Sequence, residues 1–219
     1  MVFLTTKLVE RVSLFVSFGG LVTSFVTFFL PLWTTMNSDL NEMENWYEGL
    51  WHLCIFTEEV GLHCKAYEST LALTADKLAS RVLMFISVGT GLLGVLVAFF
   101  GLEGVVDGVG QRRRLKRGLL IAGGVLSWVS GLTTLAPVSL VAYVTVVEFW
   151  DERIPDVVPR WEFGEAMFSG WIAGLLLVVG GSFLFVAVCM GDYEAHQAKD
   201  LNFFKDTPRS QHYLKTEVL

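Results

Sequence analysis

The sequence predicts a mainly α-helical membrane protein, with four transmembrane helices and one large β-rich loop between the first two. Three observations carry this. The 219-residue chain is 53% apolar and only 17% charged, with a mean hydropathy of +0.55; soluble chains average about 45–50% apolar and about 25% charged. The charges cluster, leaving four long uncharged tracts. The segment 32–81 interleaves aromatic and β-branched runs with turn formers. This composition excludes an average cytosolic enzyme and a disordered chain. The net charge of −6 excludes a nucleic-acid binder, because an acidic surface repels phosphate.

The tracts lie between Arg11 and Asp39 (27 uncharged residues), Arg81 and Glu103 (21), Arg117 and Glu148 (30), and Glu165 and Asp192 (26). About 20 predominantly apolar residues cross a bilayer. Four such tracts packed as the core of a soluble protein would leave too little polar surface to cover them. Spans are expected at about 9–31, 82–102, 118–147 and 166–190, joined by loops 32–81, 103–117 and 148–165. They form one four-span unit over residues 1–191, followed by a polar, disordered tail at 192–219. The third span, about 45 Å long as a helix, exceeds a hydrocarbon core of about 30 Å. It is expected to tilt or project, to kink at Pro137, and to continue outward through Val138–Val147. The first tract is longer than a secretory h-region of about 7–15 residues and shows no cleavage site, so it is expected to be retained.

Lys and Arg set direction. Eleven of the sixteen lie in the N-terminal stub, the connection Gln111–Arg117 and the tail; five lie in the other two loops. Both termini and the basic connection are therefore expected in the cytoplasm, with loops 32–81 and 148–165 outside. The connection is also a candidate contact for anionic membrane lipids, although a topology signal is the simpler reading.

No span carries an ionisable residue at its centre. Transport paths and intramembrane catalysis generally keep such costly groups, so both are disfavoured; no catalytic set or cofactor is expected. The spans instead carry small residues: Gly20 and Ser24; Gly89, Gly91 and Gly94; Gly123, Ser127 and Gly131; Gly170, Gly174, Gly180 and Gly181. These are expected to serve packing within the bundle ahead of dimerisation.

In the large loop, Leu32–Met36, Trp46–Phe56 and Val60–Tyr67 read as strands, and Asp76–Arg81 as a short helix leading into span two. Cys54 and Cys64 flank the turn Thr57–Gly61, so a hairpin brings them together and an oxidising exterior favours a disulfide. His52 and His63 lie nearby, but the spacing is not a usual zinc pattern and no metal is expected. Cys189, at the far end of span four, is a candidate for palmitoylation; a buried free thiol is an equal reading.

Trp33, Gly49-Leu50-Trp51, Cys54 and Cys64 together resemble the signature of the claudins, the tetraspan proteins of tight junctions. Arg81 at the start of span two, Phe149-Trp150-Asp151, and Trp161-Glu162-Phe163-Gly164 extend the resemblance over residues 5–192. Asp39–Trp46 is most similar to the subgroup of claudins twenty-two and twenty-four. The resemblance implies a left-handed four-helix bundle topped by an extracellular antiparallel sheet. It implies a plasma-membrane junction protein, not an enzyme, that assembles with claudin-like protomers in its own and the opposing membrane. Trp33 and Trp51 would anchor the sheet, and Arg81 would pair with Glu148.

The resemblance also implies functional positions. Lys65, directly after the second cysteine, falls where the family sets charge selectivity, with Glu58 and Glu59 nearby. Both outer loops are acidic overall, which favours cations, whereas Lys65 favours anions; barrier, cation pore and anion pore stay open. Thr70 and Phe149 fall where protomers meet side by side. Thr216-Glu217-Val218-Leu219 suits capture of a free C-terminus by a cytoplasmic PDZ scaffold. The alternative function is an auxiliary subunit of an ion channel or receptor, as in looser relatives of the family.

Overall fold

The computed structural model describes residues 2–37, 44–57, 59, 61–67, 73–102, 110–151 and 160–206. Four helices dominate: α1 (Val2–Phe29), α2 (Ala75–Leu102), α3 (Gly110–Phe149) and α4 (Glu165–Asp206). Each is long and apolar enough to cross a membrane. They form a ring in which α2 packs on α3, α3 on α4 and α4 on α1, with a thinner contact closing α1 on α2.

The small residues let these backbones approach. A Cβ at Gly131 would fall 2.8 Å from the Gly174 carbonyl oxygen, and one at Gly170 would fall 2.6 Å from the Val138 side chain. Of the glycines singled out above, Gly89 alone faces open space. The packing is also hydrogen-bonded. Ser87 on α2 meets Thr134 on α3 at 2.5 Å, Thr134 meets Ser24 on α1 at 3.2 Å, and Ser130 donates to the Ser87 carbonyl at 2.8 Å. Thr27 on α1 meets Ser169 on α4 at 2.8 Å. Such bonds contribute about 0.6–2 kcal/mol each between helices in a membrane.

At one end sits a five-stranded antiparallel sheet: β1 (Thr34–Asn37), β2 (Glu44–Glu48), β3 (His52–Thr57), β4 (Gly61–Ala66) and β5 (Glu162–Phe163), in the order β4-β3-β2-β1-β5. The stretch Trp46–Phe56, expected as one strand, is two. Gly49 turns the chain, its N–H donating to the His52 carbonyl at 2.9 Å, and its backbone packs so closely on Pro31 that a Cβ would fall 2.5 Å from Pro31 Cα.

α3 continues through Pro137 to Phe149, so the outward helical extension is present; Pro137 is fully buried, and packing holds the segment where proline removes a hydrogen bond. The last helix differs from expectation. α4 does not end near residue 190. The tail expected to be disordered from Asp192 is helical as far as Asp206. No glycine or proline follows Gly191 until Pro208, and polar ties to α1 and α3 hold the first turn of the extension.

Candidate functional site

The signature residues meet where the sheet sits on the bundle. Trp33 (2% exposed) and Leu50 (2%) are buried in one cluster with Phe28, Met84, Val138 and Met167. The Trp33 indole N–H donates to the Thr27 carbonyl at 2.9 Å, fastening the exit of α1 to the start of the sheet. Trp51 packs on the same cluster, its ring edge-on to Phe28 at 5.3 Å.

Arg81 closes this junction from α2. Its Nε donates to the Leu50 carbonyl at 2.7 Å, and its guanidinium lies 4.7 Å from the Trp51 ring. The ion pair expected with Glu148 is not formed: Arg81 is 8% exposed and held against Trp51 and Tyr67, while Glu148 sits exposed near the end of α3. Beside it the Tyr67 hydroxyl donates to Glu48 at 2.7 Å, and Lys77 pairs with the same carboxylate. Burial, then the hydrogen bond and charge of Glu48, raise the Tyr67 pKa above its ordinary value, against the opposing effect of Arg81.

The second loop is stitched to the first by the motif Trp161–Gly164. β5 pairs with β1, Gly164 N–H donates to the Trp33 carbonyl at 2.9 Å, and Ala166 N–H to the Leu32 carbonyl at 3.0 Å. Only glycine fits at 164, because a Cβ there would fall 2.0 Å from the Leu32 oxygen.

The disulfide joins Cys54 and Cys64, which face one another across β3 and β4 with Cα atoms 4.0 Å apart. The hairpin turn ends on Gly61 at φ 80°, a left-handed conformation open to glycine. Lys65 is exposed on the edge strand β4, and Glu59 is exposed in the turn. Phe149, half-buried at the end of α3, lies with Trp150, Trp161, Phe163 and Phe168 around an aromatic cleft of about 370 Å³. Arg160 donates to the Phe149 carbonyl and stacks 5.6 Å from its ring. Cys189 is a free thiol and exposed, so the buried reading is corrected. Glu58, Thr70 and Thr216–Leu219 lie outside the described residues.

Sequence reasoning missed three things here: the Glu48–Tyr67–Lys77 cluster, the aromatic partners of Phe149, and the polar ties at the opposite end of the bundle. There Lys116 pairs with the buried Glu10 at 3.0 Å, Arg117 with Asp192 at 3.2 Å, and Thr6 donates to Glu194 at 2.8 Å. Lys116 and Arg117 were visible only as part of a basic run; nothing local announces their acidic partners, which lie on other helices.

A four-span membrane protein with a disulfide-pinned sheet on one end of its bundle is thus the class that fold and site define. The family model described as PMP-22/EMP/MP20/Claudin matches residues 8–184. Mouse claudin-8 is 28% identical over 212 residues, covering 95% of this chain and 93% of its own. Human claudin-19 is 34% identical over 174 residues (78% and 76%), and rat claudin-1 is 32% identical over 168 (75% and 79%). The chain belongs to the PMP-22/EMP/MP20/Claudin family, and within it to the claudins.

Proposed function

We propose that this chain is a structural and adhesion protein of the tight junction, not an enzyme. Its sheet faces the extracellular space and both termini face the cytoplasm. Protomers assemble side by side and across the intercellular gap into a paracellular barrier. One observation carries the reading: strands from both loops form a single covalently pinned sheet stitched to the bundle, which presents one rigid surface to a neighbour. The aromatic cleft around Phe149, together with Thr70, is the side-by-side contact. The C-terminal residues Thr216–Leu219 engage a PDZ scaffold, Cys189 accepts a lipid chain at the cytoplasmic end, and the basic run at the start of α3 marks the cytoplasmic side, with its cations other than the paired Lys116 and Arg117 left for anionic lipid. Expression of the tagged chain in fibroblasts that lack junctions tests this. Enrichment at cell contacts with freeze-fracture strands is expected. Diffuse surface label and co-purification with a channel would replace the reading by that of an auxiliary subunit.

Charge selectivity is assigned to Lys65. Residues 32–81 carry eight acidic side chains against Lys65, Lys77 and Arg81, and 148–165 carry six against Arg153 and Arg160. Screening removes fields beyond about 8 Å at physiological salt, so one cation at a constriction outweighs acids at the rim. In epithelial monolayers, Lys65→Glu shifts the Na⁺/Cl⁻ dilution potential toward cation preference. An unmoved potential removes Lys65 from the filter.

A further inference from the structure

The sheet register separates the two histidines that flank the disulfide. Cross-strand pairing places Lys65, Leu53, Glu48 and Thr34 in one row, and His63, Ile55, Trp46 and Met36 in the next row of the same face. Paired residues share a face, and every second residue of a strand returns to it. His52, opposite Ala66, falls on the other face with Cys54, Phe56 and Leu62. His63 and Lys65 are both exposed on the edge strand β4. Positions two apart on a strand are separated by about 7 Å. That is within the screening length of about 8 Å at physiological salt. An ion that feels Lys65 therefore also feels a charge at His63.

The neighbouring strands supply little to oppose such a charge. β3 presents Leu53, Ile55 and Thr57 to this face, none of them ionisable. Glu48 lies two strands away on β2, and its carboxylate is taken by Lys77 and by the Tyr67 hydroxyl. Glu44 stands further along β2, at the register position of Thr57. β1 presents Thr34 and Met36. Glu59 is exposed in the turn beyond Gly61. Lys65 is thus the nearest ionisable residue to His63 by register among the described residues. Histidine is the side chain whose charge changes between about pH 5 and 8. Ordinary carboxylates titrate below that window and lysines above it.

We propose that His63 is a second, pH-dependent selectivity residue of the paracellular path assigned to Lys65. Neutral, it leaves Lys65 to set the charge preference. Protonated, it adds a second positive charge to the same face and strengthens the preference for anions. The proposal rests on Lys65 facing that path, and adds that the preference follows the acidity of the fluid. Dilution potentials across epithelial monolayers expressing the full chain test it, at about pH 7.5 and about pH 5.5, each corrected for the same cell line without the chain. The sodium-to-chloride permeability ratio should fall about 1.5-fold or more on acidification, the effect of one screened charge about 7 Å from Lys65. His63→Gln should abolish the fall, and His52→Gln, on the opposite face, should keep it. His63→Lys should lower the ratio by a similar factor already at the higher pH and remove the response to acid. His63 is exposed, so these variants should reach the surface as the wild type does, which surface biotinylation checks. Equal falls in wild type and His63→Gln overturn the proposal, as does an unchanged ratio in His63→Lys, while Lys65→Glu still moves the potential. If Lys65→Glu leaves the potential unmoved, the filter itself is misplaced and the proposal falls with it.

Discussion

At the sheet end, helices and sheet are joined through Phe28, Trp33, Leu50, Met84, Val138 and Met167, all buried, with the Arg81 guanidinium and the Gly164 N–H fixed to backbone carbonyls. At the opposite end a smaller cluster of Ala98, Leu120, Leu184 and Val188 is topped by three polar ties between α1, α3 and α4. The first arrangement depends on shape. Close apolar packing is not screened by salt, although the Lys77–Glu48 pair at its margin is charged. The second depends on one hydrogen bond from Thr6 and two ion pairs that water reaches on at least one side, of a kind that contributes about 0–1 kcal/mol per pair at a surface. The end that carries the candidate contacts is thus the rigid one, and the tail end is loosely held.

The largest effect expected is at Gly164. A Cβ there meets the Leu32 carbonyl oxygen at 2.0 Å, and a backbone atom cannot rotate away. Gly164→Ala should cost about 3 kcal/mol or more and abolish surface expression. Gly89→Ala, with nothing within 4 Å of the new atom, should be neutral or stabilising by up to about 1 kcal/mol. Equal melting temperatures for the two variants would refute the account of the sheet junction. Next comes the disulfide. Cys54 and Cys64 are 10 positions apart, and a loop of that size gives about 2–3 kcal/mol by closure entropy. The Cys54→Ser/Cys64→Ser variant should lose that much in thermal unfolding, and reductant should lower the wild type to the same level without moving the variant.

Much of the architecture was legible because its causes are local. Charge-free tracts report spans by length alone, and two cysteines about a turn report a hairpin by register. What escaped depends on partners distant in sequence. β5 is two residues long and exists only because β1 pairs with it. The break at Gly49 follows from Pro31, which approaches it from the end of α1. Ser24, Ser87, Ser130 and Thr134 look like filler in apolar runs until three helices bring them together. Arg81 was recognised as a signature residue, yet its partner is a backbone carbonyl, which no charge count can reveal. The helical extension to Asp206 was mistaken for disorder because polarity outweighed the absence of helix breakers.

Arg81→Leu separates those two explanations of the arginine. It removes one charged hydrogen bond and one stacked cation, for a loss of about 2–3 kcal/mol. Glu148→Gln, which removes the partner first expected, should leave stability within about 0.5 kcal/mol of wild type. Comparable losses from both would restore the ion pair.

The smallest effect lies at the opposite end and tests the contrast most directly. Glu10 is buried on α1, its side chain 8% exposed, and Lys116 on α3 reaches it with a side chain 37% exposed. Lys116→Met leaves the carboxylate unpaired, but water reaches that side of the pair, so the cost should be about 1 kcal/mol and not the several of a fully buried pair. Hydrogen exchange over residues 192–206 is the sensitive readout, because α4 is tied there to α1 and α3. Raising salt from 0.1 to 1 M shortens the screening length from about 10 to about 3 Å. That should speed exchange in the α4 extension of the wild type, have a smaller effect in Lys116→Met, where Arg117–Asp192 alone remains to be screened, and leave β3 and β4 unchanged. Faster exchange at both ends in high salt would mean that charge, and not close packing, holds the sheet as well.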